Sequence, residues 1–139
     1  MKNLFIIPGE CVPKKRPKFS THKNFVRTYT PAETANYENF VKICFMNDDN
    51  CKKIESKVAI EAIIEIHRKI PKSASKKRQQ AMLENEIKPT TKPDIDNCAK
   101  SILDALNGIA YDDDGQIAKL EVTKIYDNED YTKVWLKEI

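Results

Sequence analysis

Residues 94–106 read Asp-Ile-Asp-Asn-Cys-Ala-Lys-Ser-Ile-Leu-Asp-Ala-Leu. Ile95, Cys98, Ala99, Ile102, Leu103 and Leu106 fall at i, i+3, i+4, i+7, i+8 and i+11, which is one continuous apolar stripe on a helix. Pro93 and Asp94 mark its start and Asn107-Gly108 its end. Beyond it, 109–116 is an acidic turn containing Asp-Gly. Ile117 to Tyr126 and Tyr131 to Ile139 then read as two strands, with Asp127-Asn128-Glu129-Asp130 as the hairpin turn between them. On the N-terminal side, Lys88 to Pro93 is a loop, and a polar Lys- and Gln-rich helix is expected from Ser73 to about Asn85. Lys57 to His67, rich in Ile, Val and Ala, reads as a central strand.

Further back, Thr30 as N-cap, Pro31 at the first helical position and Glu33 match a capping box. The helix they open carries Tyr37, Phe40, Val41, Cys44 and Phe45 on one stripe and ends at Asn47-Asp48-Asp49-Asn50. Tyr37, Phe40 and Trp135 are read as core aromatics. Asn3 to Ile7 is a short strand closed by Pro8-Gly9, and residues 10–30 form an extended basic loop or hairpin spotted with Phe19, Phe25 and Tyr29. The order β-α-β-α-α-β-β predicts an α+β fold, a small mixed sheet of about four strands covered by about three helices, as one domain over residues 1–139.

The 139 residues, 40% hydrophobic and 32% charged, fit a globular chain with a modest core and exclude a disordered one. No apolar run approaches the roughly 20 residues that span a bilayer. The N-terminus has too short an apolar stretch for a secretory segment, so a cytoplasmic protein without membrane partners is expected. Cys11, Cys44, Cys51 and Cys98 form no CxxC pair and have two histidines for company, a poor pattern for zinc; thiols are expected rather than disulfides. His22 and His67 carry no part in the expected chemistry.

Net charge is only +3, but it is unevenly spread. Lys14, Lys15, Arg16, Lys18 and Arg27 crowd the N-terminal segment, and Lys76, Lys77 and Arg78 form a second run. Such clusters bind phosphate backbones by releasing counterions, though a charge run by itself more often marks a solvated face.

The acids around the 94–106 helix carry the chemistry. A single aspartate at a helix start is explained by the helix dipole. That does not explain Asp94 and Asp96 together beside Lys100. Asp96, Lys100 and Asp104, at i, i+4 and i+8, share a face, and surface ion pairs of ~0–1 kcal/mol are the plain alternative. If the return after Gly108 carries Asp113 or Asp114 toward Asp94 and Asp96, three or four carboxylates converge and require a cation; hard oxygen ligands suit Mg²⁺ or Mn²⁺. Two competing motifs fit less well. The Asp-x-Asp of phosphotransferases ends a buried strand, whereas Lys88-Pro-Thr-Thr-Lys-Pro93 precedes it here. The calcium-loop pattern over Asp112, Asp114, Gly115 and Glu121 has Ala110 at its first ligand position.

The segments Lys92-Pro-Asp-Ile-Asp-Asn-x-x-Lys100, Asp104-Ala-Leu-Asn-Gly108 and Tyr111-Asp-Asp-Asp-Gly-Gln-Ile117 resemble the central pattern of the RusA family of Holliday junction resolvases. Ile7-Pro-Gly, Val12-Pro, Arg16-Pro and Arg27-Thr-Tyr-Thr-Pro31 resemble its phage and prophage branch. The resemblance implies a homodimer, in a bacterial or phage-infected cell, that makes paired symmetric cuts in four-way DNA junctions using Mg²⁺ or Mn²⁺. It implies that Asp94, Asp96 and Asp114 are catalytic aspartates and metal ligands, with Asp113 beside them, and that Lys100 is the essential lysine. Cys98 and Gly115 depart from the usual aliphatic and small polar residues, and the additional Asp112 leaves the third ligand open. The resemblance also gives the basic segment a role at the junction, Phe19 and Phe25 stacking or wedging there. Two other functions are compatible with these residues, a branched-DNA nuclease without junction preference and a catalytically silent DNA-binding module.

Overall fold

The computed structural model describes residues 2–15, 18–22, 25–29 and 32–139, with side chains for 2–15 and 32–139. Its elements are β1 (Lys2–Pro8), β2 (Lys18–His22), β3 (Phe25–Tyr29), α1 (Ala32–Met46), β4 (Ile60–Lys69), α2 (Lys76–Leu83), α3 (Ile95–Ala105), β5 (Ile117–Asp127) and β6 (Tyr131–Glu138). Four strands form a mixed sheet in the order β1-β6-β4-β5, and β2 pairs with β3 in a separate antiparallel hairpin. The α+β class, the four-stranded sheet and the three helices agree with the sequence pattern, and the basic segment takes the hairpin form.

Burial alternates along the strands and shows which face the helices cover. Ile60, Ala62, Ile64 and Ile66 of β4, Val134 and Leu136 of β6, and Phe5 and Ile7 of β1 are buried against Tyr37, Val41 and Phe45 of α1 and Cys98, Ile102 and Leu106 of α3. The alternate residues Glu61, Ile63 and Glu65 are only partly covered, and Glu61 pairs with Lys119 across the strands at 2.8 Å. The period of two therefore sorts β4 into a core face and a polar face. α1 packs on α3 and β1, and α3 also lies along β5.

Four expectations change in three dimensions. β5 and β6 are not a hairpin: β4 lies between them, parallel to β5 and antiparallel to β6. Residues 128–130 step over the end of β4, where the Lys69 N–H donates to Asp130 Oδ1 and the Ile70 N–H to the Asp127 carbonyl. Three residues reach across two inter-strand spacings of roughly 4.8 Å without strain, so a short acidic linker serves either topology. α2 begins at Lys76 rather than Ser73, because Ser75 is its cap and accepts the Arg78 N–H through Oγ. Phe40 and Ile95, both placed on apolar stripes, are 39% and 37% exposed. Trp135 lies on the polar face of the sheet, half-buried, with the Lys133 ammonium 5.7 Å from its ring centroid. Thr30 and Pro31, the expected cap of α1, fall outside the described residues.

His67 has acidic neighbours in space. Its ring nitrogens lie 2.8 Å from Asp127 Oδ2 and 2.9 Å from Glu65 Oε1, and Tyr131 stacks on it at 4.1 Å. The Tyr131 hydroxyl donates to the same Asp127 carboxylate. The Asn128 N–H, followed by Tyr131 and His67, holds Asp127 below its ordinary carboxylate value against the opposing effect of burial. This network stitches β4, β5 and β6 together where 128–130 cross.

Candidate active site

α3 carries the groove that holds the candidate residues. It lies beside edge strand β5, and the space between them is an open groove of about 520 Å³. Ile95, Ala99 and Leu103 of α3 and Leu120 and Val122 of β5 form the apolar wall, and Asp96, Lys100, Asp104 and Asp114 the polar one. Asp96, Lys100 and Asp104 share a helix face because they are four residues apart; eight residues at 1.5 Å each spread them over roughly 12 Å. Asp94 is the N-cap residue but makes no side-chain cap; among the described residues its carboxylate accepts a single long 3.4 Å bond, from Asn97 Nδ2. Lys124 of β5 donates to the carbonyls of Thr91 (2.7 Å) and Pro93 (3.1 Å), which ties the loop before α3 to the sheet.

The other end of the groove is built by the turn after α3. Gly108 takes a φ of +76°, open to glycine at little cost, and its N–H donates to the Tyr111 carbonyl at 2.7 Å. Tyr111 is fully buried and its hydroxyl donates to the Leu103 carbonyl at 2.5 Å, anchoring the turn beneath the helix. Asn107 Oδ1 accepts the Asp114 N–H at 2.8 Å and so places Asp114 beside Asp104. Burial, then the Asp113 and Asp104 charges, raise the Asp114 carboxyl above its ordinary value.

The three consecutive acids have three different fates. Asp112 pairs with Lys53 at 2.6 Å and accepts the Ser56 hydroxyl, and these partners hold its carboxyl below the ordinary value. Asp113 caps the short 3₁₀ turn Asp114–Gln116, accepting the Gly115 N–H at 3.0 Å, while Gln116 Oε1 accepts the Asp112 and Asp113 N–H groups. A Cβ at residue 115 would lie 2.7 Å from Asp113 Oδ2, so glycine at that position gives the cap its room. Gln116 Nε2 in turn donates to the carbonyls of Glu55 and Val58. Asp114 is the one of the three that lines the α3 groove.

Asp96, Lys100 and Asp114 therefore share one groove. Asp94 and Asp113 do not line it, and among the described residues no three acids, histidines or cysteines stand close enough together to hold a metal between them. Asp104 is the additional groove carboxylate; its place on the Asp96–Lys100 face follows from spacing, its contact with Asp114 does not. Lys14 stands 2.5 Å from Glu38 and 3.4 Å from Asp104, and these acids hold its ammonium above the ordinary value although burial opposes it. Lys15 pairs with Glu33. Both lysines thus meet acids within the chain. Arg16 lies outside the described residues, and Lys18 in β2 and Arg27 in β3 are placed by backbone only. Lys76, Lys77 and Arg78 are exposed in the first turn of α2.

The sequence profile of the family described as Endodeoxyribonuclease RusA matches residues 8–137, which takes in the strap after β1, α3 and the Asp112–Gln116 turn. The chain belongs to the RusA family. It is also similar to a protein of Bacillus subtilis (strain 168) named Uncharacterized protein YqaN, 32% identical over 137 residues that cover 97% of this chain and 95% of that one. RusA membership makes the acid-lined groove the candidate centre of a DNA endonuclease. No helix among the described residues is long and apolar enough to cross a membrane.

Proposed function

We propose that this RusA-family chain is a divalent-metal-dependent endonuclease that resolves four-way DNA junctions by paired, symmetric phosphodiester hydrolysis as a homodimer in the cytoplasm, in recombination or repair. The observation that carries the proposal is the groove along α3, where Asp96, Lys100 and Asp114 meet in a chain of this family. Asp94 and Asp113 remain at its margins, on the helix cap and the 3₁₀ cap.

The donor set fits Mg²⁺ or Mn²⁺. Asp96, Asp104 and Asp114 offer hard oxygen, and the groove is open to water. Mg²⁺ is commonly held by one or two carboxylates, with waters and substrate phosphate completing its shell, so three converging protein ligands are not required. Asp96 and Asp114 are the residues that would hold it, with Asp94 and Asp113 nearest to each in sequence. Bound there, the ion supplies a water of lowered pKa and positive charge beside the phosphate. Lys100, between Asp96 and Asp104 on the same helix face, faces the scissile phosphate or its leaving oxygen and stabilises the charge that grows during attack. Lys18 and Arg27 on the hairpin, with Arg16 before it, and Lys76, Lys77 and Arg78 on α2 supply backbone contacts that fix the junction. Lys14 reaches the groove acid Asp104, and Lys15, paired with Glu33 on α1, adds to the basic field.

Cleavage of a labelled four-way junction beside linear duplex of the same sequence, with and without Mg²⁺, tests this. Paired nicks on the junction alone, dependent on metal, are expected. Equal cutting of duplex, flap and junction would remove the junction preference, and binding without cutting in either metal would leave a silent DNA-binding module. Lys100→Ala is expected to slow cleavage by about 10²-fold while junction affinity changes by less than about threefold, since one phosphate contact among many is lost. Equal losses in rate and affinity would assign Lys100 to docking.

A further inference from the structure

The face of the sheet turned away from α1 and α3 holds the chain's single tryptophan. Trp135 lies in β6 between Leu4 of β1 and Ile63 of β4, its partners in register. Leu4 and, further along the same strand face, Ile6 are 43% and 49% exposed, so the strip they form with the half-buried indole is open to solvent. Lys133 and Lys137 share the face of Trp135, two residues to either side, roughly 6.8 Å along the strand. Lys2 stands opposite Lys137. None of these three lysines makes an ion pair among the described residues.

The acids of the same face are engaged or lie apart. Glu61 pairs with Lys119 at 2.8 Å, His67 holds Glu65 and Asp127, and Glu121 belongs to β5, which β4 separates from β6. The β1–β6 half is therefore left with three cations around one aromatic ring. The Lys133 ammonium stands 5.7 Å from the ring centroid, a weak hold at an open site, from which it can turn to a phosphate and leave the ring face free. A flat apolar strip left open in this way, with cations at both ends of its aromatic residue, marks a binding surface.

We propose that this face is a second nucleic-acid site, a platform on which Trp135 stacks an unpaired base of single-stranded DNA while Lys133, Lys137 and Lys2 hold the phosphates on either side. Stacking requires a base with a free face, which the interior of a duplex does not offer, and cations spaced along one strand follow one backbone. The α3 groove has the opposite character, acids with one lysine, so the two sites take different parts of a branched substrate. The choice of DNA as the ligand rests on the endonuclease reading; the platform itself rests on β1 and β6.

The test titrates the full chain with oligothymidylate, in EDTA so that no strand is cut, and follows the emission of Trp135. Saturable quenching is expected, with little change on adding blunt duplex of the same length at the same salt. Trp135→Leu is expected to weaken binding of a labelled oligothymidylate by about tenfold, the loss of one stacked base. Lys133→Gln combined with Lys137→Gln is expected to flatten the plot of log K against log salt by about 1.4, two phosphates at about 0.7 each. Absence of binding, unchanged emission when the labelled strand is fully bound, or equal quenching by duplex each overturns the proposal. If Trp135→Leu fails to fold, the wild-type titration and the lysine pair decide. Failure here leaves the nuclease reading of the α3 groove standing, because no metal is present and no cutting is measured; a chain that fails to cut junctions leaves the platform standing.

Discussion

Asp96→Asn is expected to lower the rate of junction cleavage by about 10²–10³-fold while junction binding is retained or slightly tightened. Asp96 sits in the first turn of α3, exposed, with its carboxylate on the groove. Asparagine keeps the shape and removes the charge, so a cation loses an anionic ligand while the DNA loses a repulsive neighbour. The cost to folding is small: a first-turn carboxylate is worth about 0.3–1 kcal/mol through the helix dipole. Single-turnover cleavage at saturating enzyme and a parallel Kd measurement separate the two effects. Asp112→Asn serves as the matched control, because Lys53 and Ser56 already occupy that carboxylate. Its rate is expected to stay within about threefold of wild type, as for a surface change outside the reacting centre. A normal rate in Asp96→Asn would return that acid to a helix-start role and take the catalytic assignment with it.

The second large effect is on stability. Leu106→Ala is expected to cost about 2–5 kcal/mol, a large part of the roughly 5–15 kcal/mol that holds a domain together. Leu106 is fully buried where α3 ends, among the residues that seat the helix on the sheet. The cavity left by its deletion has close-packed neighbours that cannot fully collapse into it. Urea unfolding monitored at Trp135 checks this through the midpoint at unchanged slope. Ile95→Ala is the informative contrast. The same apolar stripe contains both residues, but Ile95 is 37% exposed at the rim of the groove, and its loss is expected to cost no more than about 1 kcal/mol. Equal costs at both positions would mean that something covers Ile95 in solution. Cleavage by Leu106→Ala, measured well below its melting temperature, should remain near wild type, which distinguishes it from Asp96→Asn.

Local periodicity already located α3, because six apolar positions at helical spacing seldom arise in a strand or a loop. It also located β4, the terminal strands and the two basic clusters. Its errors share a cause. Phe40 and Ile95 fit the stripe of their helices yet stay exposed, because a helix meets its neighbours over only part of its length and the period does not report where contact ends. β5 and β6 alternate as expected, and their short acidic connection suits a hairpin; whether a third strand enters between them depends on a pairing partner some sixty residues away, β4. The α3 groove divides in the same way. Asp94, Asp96 and Lys100 could be placed on α3 by counting residues, but spacing alone does not separate the three acids at 112–114, among which only the family pattern pointed to Asp114. Lys53 and Ser56 withdraw Asp112, the cap of the 3₁₀ turn occupies Asp113, and Asn107 delivers Asp114 to the groove.

By itself, then, the sequence determined what is encoded within one element: the helix and its carboxylate–lysine face, the alternating strands, the family pattern, and the supply of hard oxygen ligands and cations. Tertiary structure alone decided the order of strands, how Asp112 and Asp113 are held away from the groove that Asp114 lines, and that Asp104 joins it with Lys14 as counter-ion. The physical reason is range. Helix and strand periods arise from backbone geometry over a few residues, whereas ion pairs and hydrogen bonds between distant segments exist only once burial has brought those segments together.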